Sequence, residues 1–275
     1  MRQPSAGWKT HHILRHFRPN RWCHNQAVPK RRVLITGASR GIGAAIARAF
    51  AQEGDRVAIH YSTAKSDAEA VLEALAGEGH LVVGADLRRR DEIQALMEAI
   101  QQEWGGLDVL VNNAGIVHRV DTACEDVAEW SMAWDDTFEV NVLGPAVLTW
   151  HALRLMGPGG RIVNMASRAA FRGMPDSIPY AASKAAVAAM SQSLAQSLAE
   201  RGIAVTAVAP GYVETDMGRL VLDGEQGEAI RRQSPFHRVA TSEEIAHAIL
   251  YLASPAAEWA SGAILDLNGA SHLRM

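Results

Sequence analysis

Cysteine is scarce in this chain of 275 residues, which holds only Cys23 and Cys124. Two cysteines cannot build a disulfide framework, and their spacing matches no metal-ligand pattern. Free thiols are the usual state of cysteine in a reducing compartment. We therefore expect a cytoplasmic protein that has reduced thiols and no bound metal.

The chain also lacks long apolar runs, and after residue 32 it lacks an excess of basic residues. No hydrophobic stretch approaches the roughly 18 residues that a membrane-spanning helix needs. Residues 1–32 contain eight Lys or Arg and no acid, whereas the rest of the chain contains 19 basic and 30 acidic residues. An acidic body lacks the electrostatic surface that nucleic-acid binding requires. We expect contact with neither a membrane nor nucleic acid.

Residues 1–30 form a basic extension without the periodicity of a helix or a strand. An Arg-rich segment without acids superficially resembles an organelle transit peptide, although this one has a single serine. A disordered tail or an upstream start codon is the preferred interpretation, and organelle targeting is the alternative. The four histidines of the segment lack a structured set of partners for a metal. We expect the folded domain to span residues 31–275.

A tyrosine and a lysine four residues apart, Tyr180 and Lys184, stand at the head of a predicted helix. This spacing places them on one helix face. A phenol ordinarily has a pKa near ~10, and a neighbouring ammonium lowers that pKa because it favours the phenolate. Thirteen residues upstream, Ser167 closes a buried strand at 161–166, and such a strand end faces the ligand crevice of an open α/β sheet. The three residues predict acid–base chemistry.

A glycine-rich turn follows the first predicted strand, at residues 32–36. Gly37, Gly41 and Gly43 precede a helix predicted over 44–52. Glycines here let the backbone approach a pyrophosphate, and the helix N-terminus offers N–H donors to it. The pattern predicts a dinucleotide site.

The end of the second predicted strand, at residues 56–61, indicates which dinucleotide is bound. An acidic residue at this place would hold the ribose 2′-hydroxyl of NAD, but Tyr61 stands there. Nothing there would repel a 2′-phosphate. Arg40 and Lys65 could supply countercharge, and Ser62 could donate a hydrogen bond. NADP is therefore favoured over NAD.

The alternation of strands and helices from residue 31 onward predicts a doubly wound parallel sheet in one domain. Together with the glycine pattern and the run Asn112–Gly115, the spacing of Ser167, Tyr180 and Lys184 resembles the short-chain dehydrogenase/reductase family, in its compact single-domain branch. The resemblance covers residues 31–270. It implies a Rossmann fold and hydride transfer between a nicotinamide and a carbonyl or alcohol carbon.

The resemblance also implies roles for individual residues. Tyr180 would exchange a proton with the substrate oxygen, Ser167 would hydrogen-bond that oxygen, and Lys184 would hold the nicotinamide ribose. Asn141 would kink its helix and hold a water in a proton relay to Lys184; the alternative is a satisfied structural amide. The implied cofactor contacts are Gly37, Ser39, Arg40, Gly41, Ile42, Gly43, Tyr61, Ser62, Asp86, Leu87, Asn113, Ala114, Gly115, Tyr180, Lys184, Pro210, Gly211, Val213 and Thr215.

The substrate is less closely defined. The overall pattern resembles 3-oxoacyl-carrier-protein reductases and general carbonyl reductases. The alternatives are an NAD-dependent sugar or polyol dehydrogenase and, outside the enzymes, a catalytically silent NADP-binding sensor.

Residues 215–237 are predicted to form a mobile lid. Family members usually assemble, so the resemblance implies a homo-oligomer, a tetramer or a dimer. The residues that could meet an acidic or amphipathic substrate are Arg168, Phe171, Arg172, Met217 and Arg219.

Overall fold

The computed structural model describes residues 30–215, 218 and 222–274. The predicted basic extension, up to residue 29, lies outside these residues, and so do Met217 and Arg219. The expectations for both parts of the chain stay predictions.

Seven parallel strands form one sheet in the order β3-β2-β1-β4-β5-β6-β7. The order reverses between β1 and β4, where loops from the two halves diverge and a crevice opens. This confirms the predicted doubly wound Rossmann architecture. The strands are β1 Arg32–Ile35, β2 Arg56–Tyr61, β3 Leu81–Gly84, β4 Val109–Asn112, β5 Arg161–Met165, β6 Ala204–Pro210 and β7 Ile264–Leu267.

Helices cover both faces of the sheet. A π-helical turn, Glu139–Leu143, joins α4 to α5, and 3₁₀ turns occur at Ala199–Arg201 and Pro255–Ala260. The α-helices are α1 Gly41–Gln52, α2 Lys65–Glu73, α3 Arg90–Trp104, α4 Val127–Phe138, α5 Gly144–Ala152, α6 Ala169–Arg172, α7 Ile178–Leu198, α8 Gly227–Arg231 and α9 Ser242–Leu252.

Apolar residues predominate in the central strands because both faces of the sheet are buried there. In β1, Val33 and Ile35 pack into the core beneath α1 and α9, whereas Leu34 points to the opposite core beneath α3, α5 and α7. This alternation follows from the two-residue period of a strand. It fixes the loops that follow the strands at one edge of a rigid sheet.

Two segments between β6 and β7 have a defined local structure. A capping box opens α9: Thr241 Oγ1 accepts from Glu244 N at 3.2 Å, and Glu244 Oε2 accepts from Thr241 N at 2.9 Å. Residues 222–237 are more regular and better packed than predicted, since they contain the short helix α8, whereas the mobility of this lid stays a prediction. Leu222 and Ile230 are buried there with Val239, because their apolar side chains converge beside Tyr212.

Candidate active site

A cleft of about 600 Å³ opens at the carboxyl edge of the sheet. The loops after β1 and β4 form its floor, on either side of the point where the strand order reverses. All of the predicted cofactor contacts line this cleft except Pro210, Gly211 and Val213, which lie at the end of β6 and just beyond it. The structure therefore brings most of these residues into one continuous site.

The glycine-rich turn forms a cradle at one end of the cleft. Gly37 and Gly41 have φ angles of 62° and 55°, which favour glycine. A Cβ at Gly43 would collide with the carbonyl of Gly37 and approach Asn113 Nδ2 to 2.7 Å. No side chain caps the first turn of α1, and no acid lies in it. Its N–H groups are thus available to an anion, and the cradle fits a dinucleotide pyrophosphate.

His60 holds this cradle in place, a role that the sequence did not suggest. Its ring is 2% exposed. Nδ1 accepts from Gly37 N at 3.0 Å, so Nε2 carries the proton and donates to Ala85 O at 2.9 Å. Burial lowers the pKa of His60 to about 4. A histidine directly after the apolar run Val57–Ile59 was the available signal, since a buried polar group needs partners.

Tyr61 lies at the other side of the cradle, at the end of β2. Its ring packs on Gly84, where an added Cβ would come within 2.8 Å of the phenol oxygen. Arg40 lines the cleft and is exposed, whereas Lys65 pairs with Glu69 at 3.5 Å and lies outside the lining. Of the two predicted countercharges, only Arg40 faces the site.

A charged group at the mouth of the cleft was not predicted. Arg88 pairs with Asp86 at 2.7 Å and reaches Asp136 at 3.5 Å, and His118 Nε2 lies 3.5 Å from the same Asp136. The hydrogen bond from Arg88 is the largest cause that lowers the pKa of Asp86. These partners are up to 50 residues apart in sequence, so local patterns could not reveal them.

Ser167, Tyr180 and Lys184 meet at the opposite end of the cleft. Ser167 follows β5, its Oγ accepts from Ala169 N at 3.1 Å, and its side chain lies near enough to Tyr180 to act on the pKa of that phenol. Lys184 is 3% exposed, and its Nζ donates to Met165 O at 2.7 Å and lies 5.7 Å from the Tyr180 ring centroid. One strand end and one helix face thus bring the predicted serine, tyrosine and lysine together.

The electrostatics of the tyrosine differ from the prediction. Burial raises the pKa of Tyr180, and the hydrogen bond from Ser167 opposes that rise only in part. Burial also lowers the pKa of Lys184 to about 8. The prediction of a lowered tyrosine pKa is wrong for this structure, because desolvation of the phenolate exceeds the favourable interactions.

Asn141 lies in the π-helical turn Glu139–Leu143, so the helix is irregular where the resemblance implies a kink. Its Oδ1 accepts from Ile116 N at 2.8 Å, and its Nδ2 donates to Ile116 O and to Ser183 Oγ, each at 3.0 Å. A Cβ on Gly115 would lie 3.2 Å from Asn141 Oδ1 and 3.3 Å from Lys184 Nζ. The side chain is a satisfied structural amide, and the water relay stays a prediction.

Comparison with known proteins places this site in a family. The sequence model described as enoyl-(acyl carrier protein) reductase matches residues 37–272. A 3-oxoacyl-[acyl-carrier-protein] reductase of Staphylococcus aureus is 36% identical over 244 residues, which are 87% of this chain and 97% of that protein. The chain belongs to the short-chain dehydrogenase/reductase family. It is therefore an NAD(P)-dependent oxidoreductase that acts on small molecules.

Two further relatives in the short-chain dehydrogenase/reductase family match this chain over a similar length. An uncharacterised oxidoreductase of Methylorubrum extorquens is 39% identical over 240 residues, which are 86% of this chain and 95% of that protein. A short-chain dehydrogenase of Burkholderia cenocepacia, solved in complex with NADP, superposes with a TM-score of 0.80 at 34% identity, covering 88% of this chain and 97% of that one. Among the residues that the structure describes, no helix is long and apolar enough to cross a membrane.

Proposed function

We propose that this protein is an NADP-dependent reductase that interconverts ketones and secondary alcohols, and that 3-oxoacyl thioesters are the first substrates to test. The observation that carries the proposal is the meeting of Ser167, Tyr180 and Lys184 at one end of a cleft whose other end is a glycine cradle. The 3-oxoacyl-[acyl-carrier-protein] reductase of S. aureus supports the substrate class.

A nicotinamide bound in the cleft would supply or accept the hydride. Tyr180 gives a proton to the substrate oxygen in the reduction and takes it back in the oxidation. Ser167, whose side chain lies beside the tyrosine, orients that oxygen. Lys184 places a buried ammonium beside Gly115 and favours the phenolate in the oxidation direction. Acid–base catalysis of this kind is worth about 10²–10⁴-fold.

The choice of NADP rests on the adenosine end of the cleft. Tyr61 ends β2 without a carboxylate, and Arg40 lines the cleft with no acid within ion-pair distance among the described residues. A 2′-phosphate would pair with this guanidinium. The NADP complex of the B. cenocepacia enzyme supports the same choice.

Parallel titrations with NADPH and NADH, followed by quenching of tryptophan fluorescence, test the cofactor. We expect NADPH to bind about ten- to a hundredfold more tightly, since a hydrogen bond to a charged group is worth ~1.5–3 kcal/mol. Tighter binding of NADH, with turnover of polyols, would favour the sugar or polyol dehydrogenase. NADPH binding without turnover of any ketone would favour the sensor.

The variant Tyr180→Phe tests the reaction. We expect it to lower the rate of NADPH-dependent reduction of a 3-oxoacyl thioester at least ~100-fold and to leave NADPH affinity nearly unchanged. The phenol supplies the proton but is one of many cofactor contacts. Turnover close to that of the wild type would refute the role of Tyr180.

We further infer a cytoplasmic homo-oligomer, either a tetramer or a dimer. Exposed apolar side chains along the segment from α4 to α5 support an association surface, namely Met132, Leu143 and Trp150. Sedimentation velocity gives the test, because a monomer at micromolar concentration would refute the inference.

A further inference from the structure

A second cavity, of about 350 Å³, lies between the ends of β6 and β7, the start of α9 and the segment 230–240. It shares no lining residue with the cofactor cleft. Its volume lies within the range of small-molecule sites. Ile230 and Val239 supply an apolar wall, and Arg168 and Ser271 supply polar groups.

Arg168 is the unusual member of this wall. It is 8% exposed, and its only side-chain hydrogen bond within the described residues runs from Nη1 to Ser271 Oγ, at 2.6 Å. The guanidinium lies over the Tyr212 ring, 5.4 Å from its centroid. No described carboxylate lies within ion-pair distance of Arg168. A guanidinium has five N–H donors, and burying its charge without an anion is costly.

The other charges of the cavity are paired. Glu244 accepts from both terminal nitrogens of Arg238, at 2.6 and 2.7 Å. Asp266 Oδ2 accepts from Arg274 Nε at 2.7 Å, while its buried Oδ1 has no hydrogen-bond partner among the described residues. Among the residues that the structure describes, the charge of Arg168 is therefore the one charge of this cavity that has no partner of opposite sign. The Oδ1 atom of Asp266 lies in the same wall, and its negative charge would repel a ligand that carries a second negative charge.

We propose that this cavity binds the carboxylate of a singly charged organic acid, with Arg168 as its cationic partner and Ile230 and Val239 against its apolar body. A guanidinium matches a carboxylate with two parallel hydrogen bonds. The cavity adjoins the proposed reaction centre, because Arg168 directly follows Ser167 and its backbone N–H donates to Pro210 O, at the end of β6, at 2.9 Å. The proposal does not depend on the reaction assigned above.

Calorimetric titration with hexanoate and with its neutral counterpart hexanamide, in the absence of any cofactor, tests the proposal. We expect wild-type protein to bind hexanoate at least ~tenfold more tightly than hexanamide. Arg168→Gln should weaken hexanoate binding by about ten- to a hundredfold. Arg232→Gln is the matched control, because it removes the same charge from an exposed side chain outside the cavity that pairs with Glu228 at 2.8 Å.

Equal binding of hexanoate and hexanamide by the wild type would overturn the proposal, even if Arg168→Gln did not fold. An equal loss of affinity in the Arg168 and Arg232 variants would overturn it too. Inhibition kinetics identify the source of the carboxylate: competition with the ketone means that the substrate is an oxo acid, and non-competitive inhibition means a separate ligand. Because binding is measured without turnover, failure of the proposed reaction would leave this result unaffected.

Discussion

His60 predicts an acid-sensitive step in stability that can be calculated from its environment. The buried neutral ring has a pKa of about 4, against an ordinary value of 6.5. Below pH 6.5 the unfolded chain therefore takes up a proton that the folded chain refuses. Each pKa unit corresponds to ~1.4 kcal/mol, so the free energy of unfolding should fall by about 3 kcal/mol between pH 6.5 and pH 4. Above pH 6.5 this contribution is constant.

Urea unfolding of the wild type and of His60→Gln, followed by circular dichroism at half-unit steps from pH 7 to pH 4, measures this contribution. At pH 7 we expect the variant to be less stable by ~1–3 kcal/mol, because the Gly37 N–H loses its buried acceptor. On acidification the wild type should lose about 3 kcal/mol more than the variant. The carboxylate of Asp86, whose charge favours protonated His60, is present in both proteins.

His80→Gln provides a matched control. His80 likewise bridges two backbone groups, accepting from Val57 N at 3.1 Å and contacting Ala76 O at 3.0 Å, but its ring is partly exposed. This variant should keep the wild-type dependence on pH because it retains His60. Parallel curves of unfolding free energy against pH for the wild type and His60→Gln would refute the burial argument.

Three further predictions test the site and one helix. Tyr61→Asp should shift cofactor preference toward NADH by about ten- to a hundredfold in parallel titrations, since a carboxylate would repel the 2′-phosphate; an unchanged preference would contradict the placement of the adenosine end. The pKa of Lys184, lowered to about 8, predicts that kcat/KM for alcohol oxidation stops rising near pH 8 as the ammonium is lost, and a steady rise to pH 10 would contradict it. Thr241→Ala should lower the free energy of unfolding in urea by ~1 kcal/mol through loss of the capping box, whereas Ser193→Ala, on the exposed side of α7, should change it by less than ~0.5 kcal/mol.

The sequence predicted the sheet and the glycine cradle because both depend on local chemistry. Apolar runs bounded by turns mark buried parallel strands, and a turn that requires positive φ selects glycine, as at Gly37 and Gly41. The pairing of Ser167 with Tyr180 followed from a known spacing. In each case the deciding contacts lie within one strand–turn–helix unit or one family motif.

The sequence was a poor guide to properties that are determined by burial or by contacts between residues far apart in the chain. A helical spacing of four residues implies proximity of Tyr180 and Lys184, but the tyrosine pKa also depends on desolvation, which the whole fold determines. Lys65 could supply countercharge to the cofactor by its place in the sequence, but in the structure it lies outside the cleft lining and pairs with Glu69, one turn along α2. His60 acts through Gly37 and Ala85, both more than 20 residues away. No periodicity encodes such contacts.

One buried amide links the segments of the proposed reaction centre that are distant in sequence. Asn141 holds the loop after β4 through both backbone groups of Ile116 and holds α7 through Ser183. Ser183 Oγ in turn donates to Tyr180 O at 2.8 Å, so the tyrosine backbone is tied to the loop that carries Gly115. The amide uses its oxygen and both N–H groups on these partners, and a π-helical turn is what presents it. Because π turns are rare and concentrate at functional sites, the irregularity of this helix is explained by the need to hold Tyr180 against the cleft.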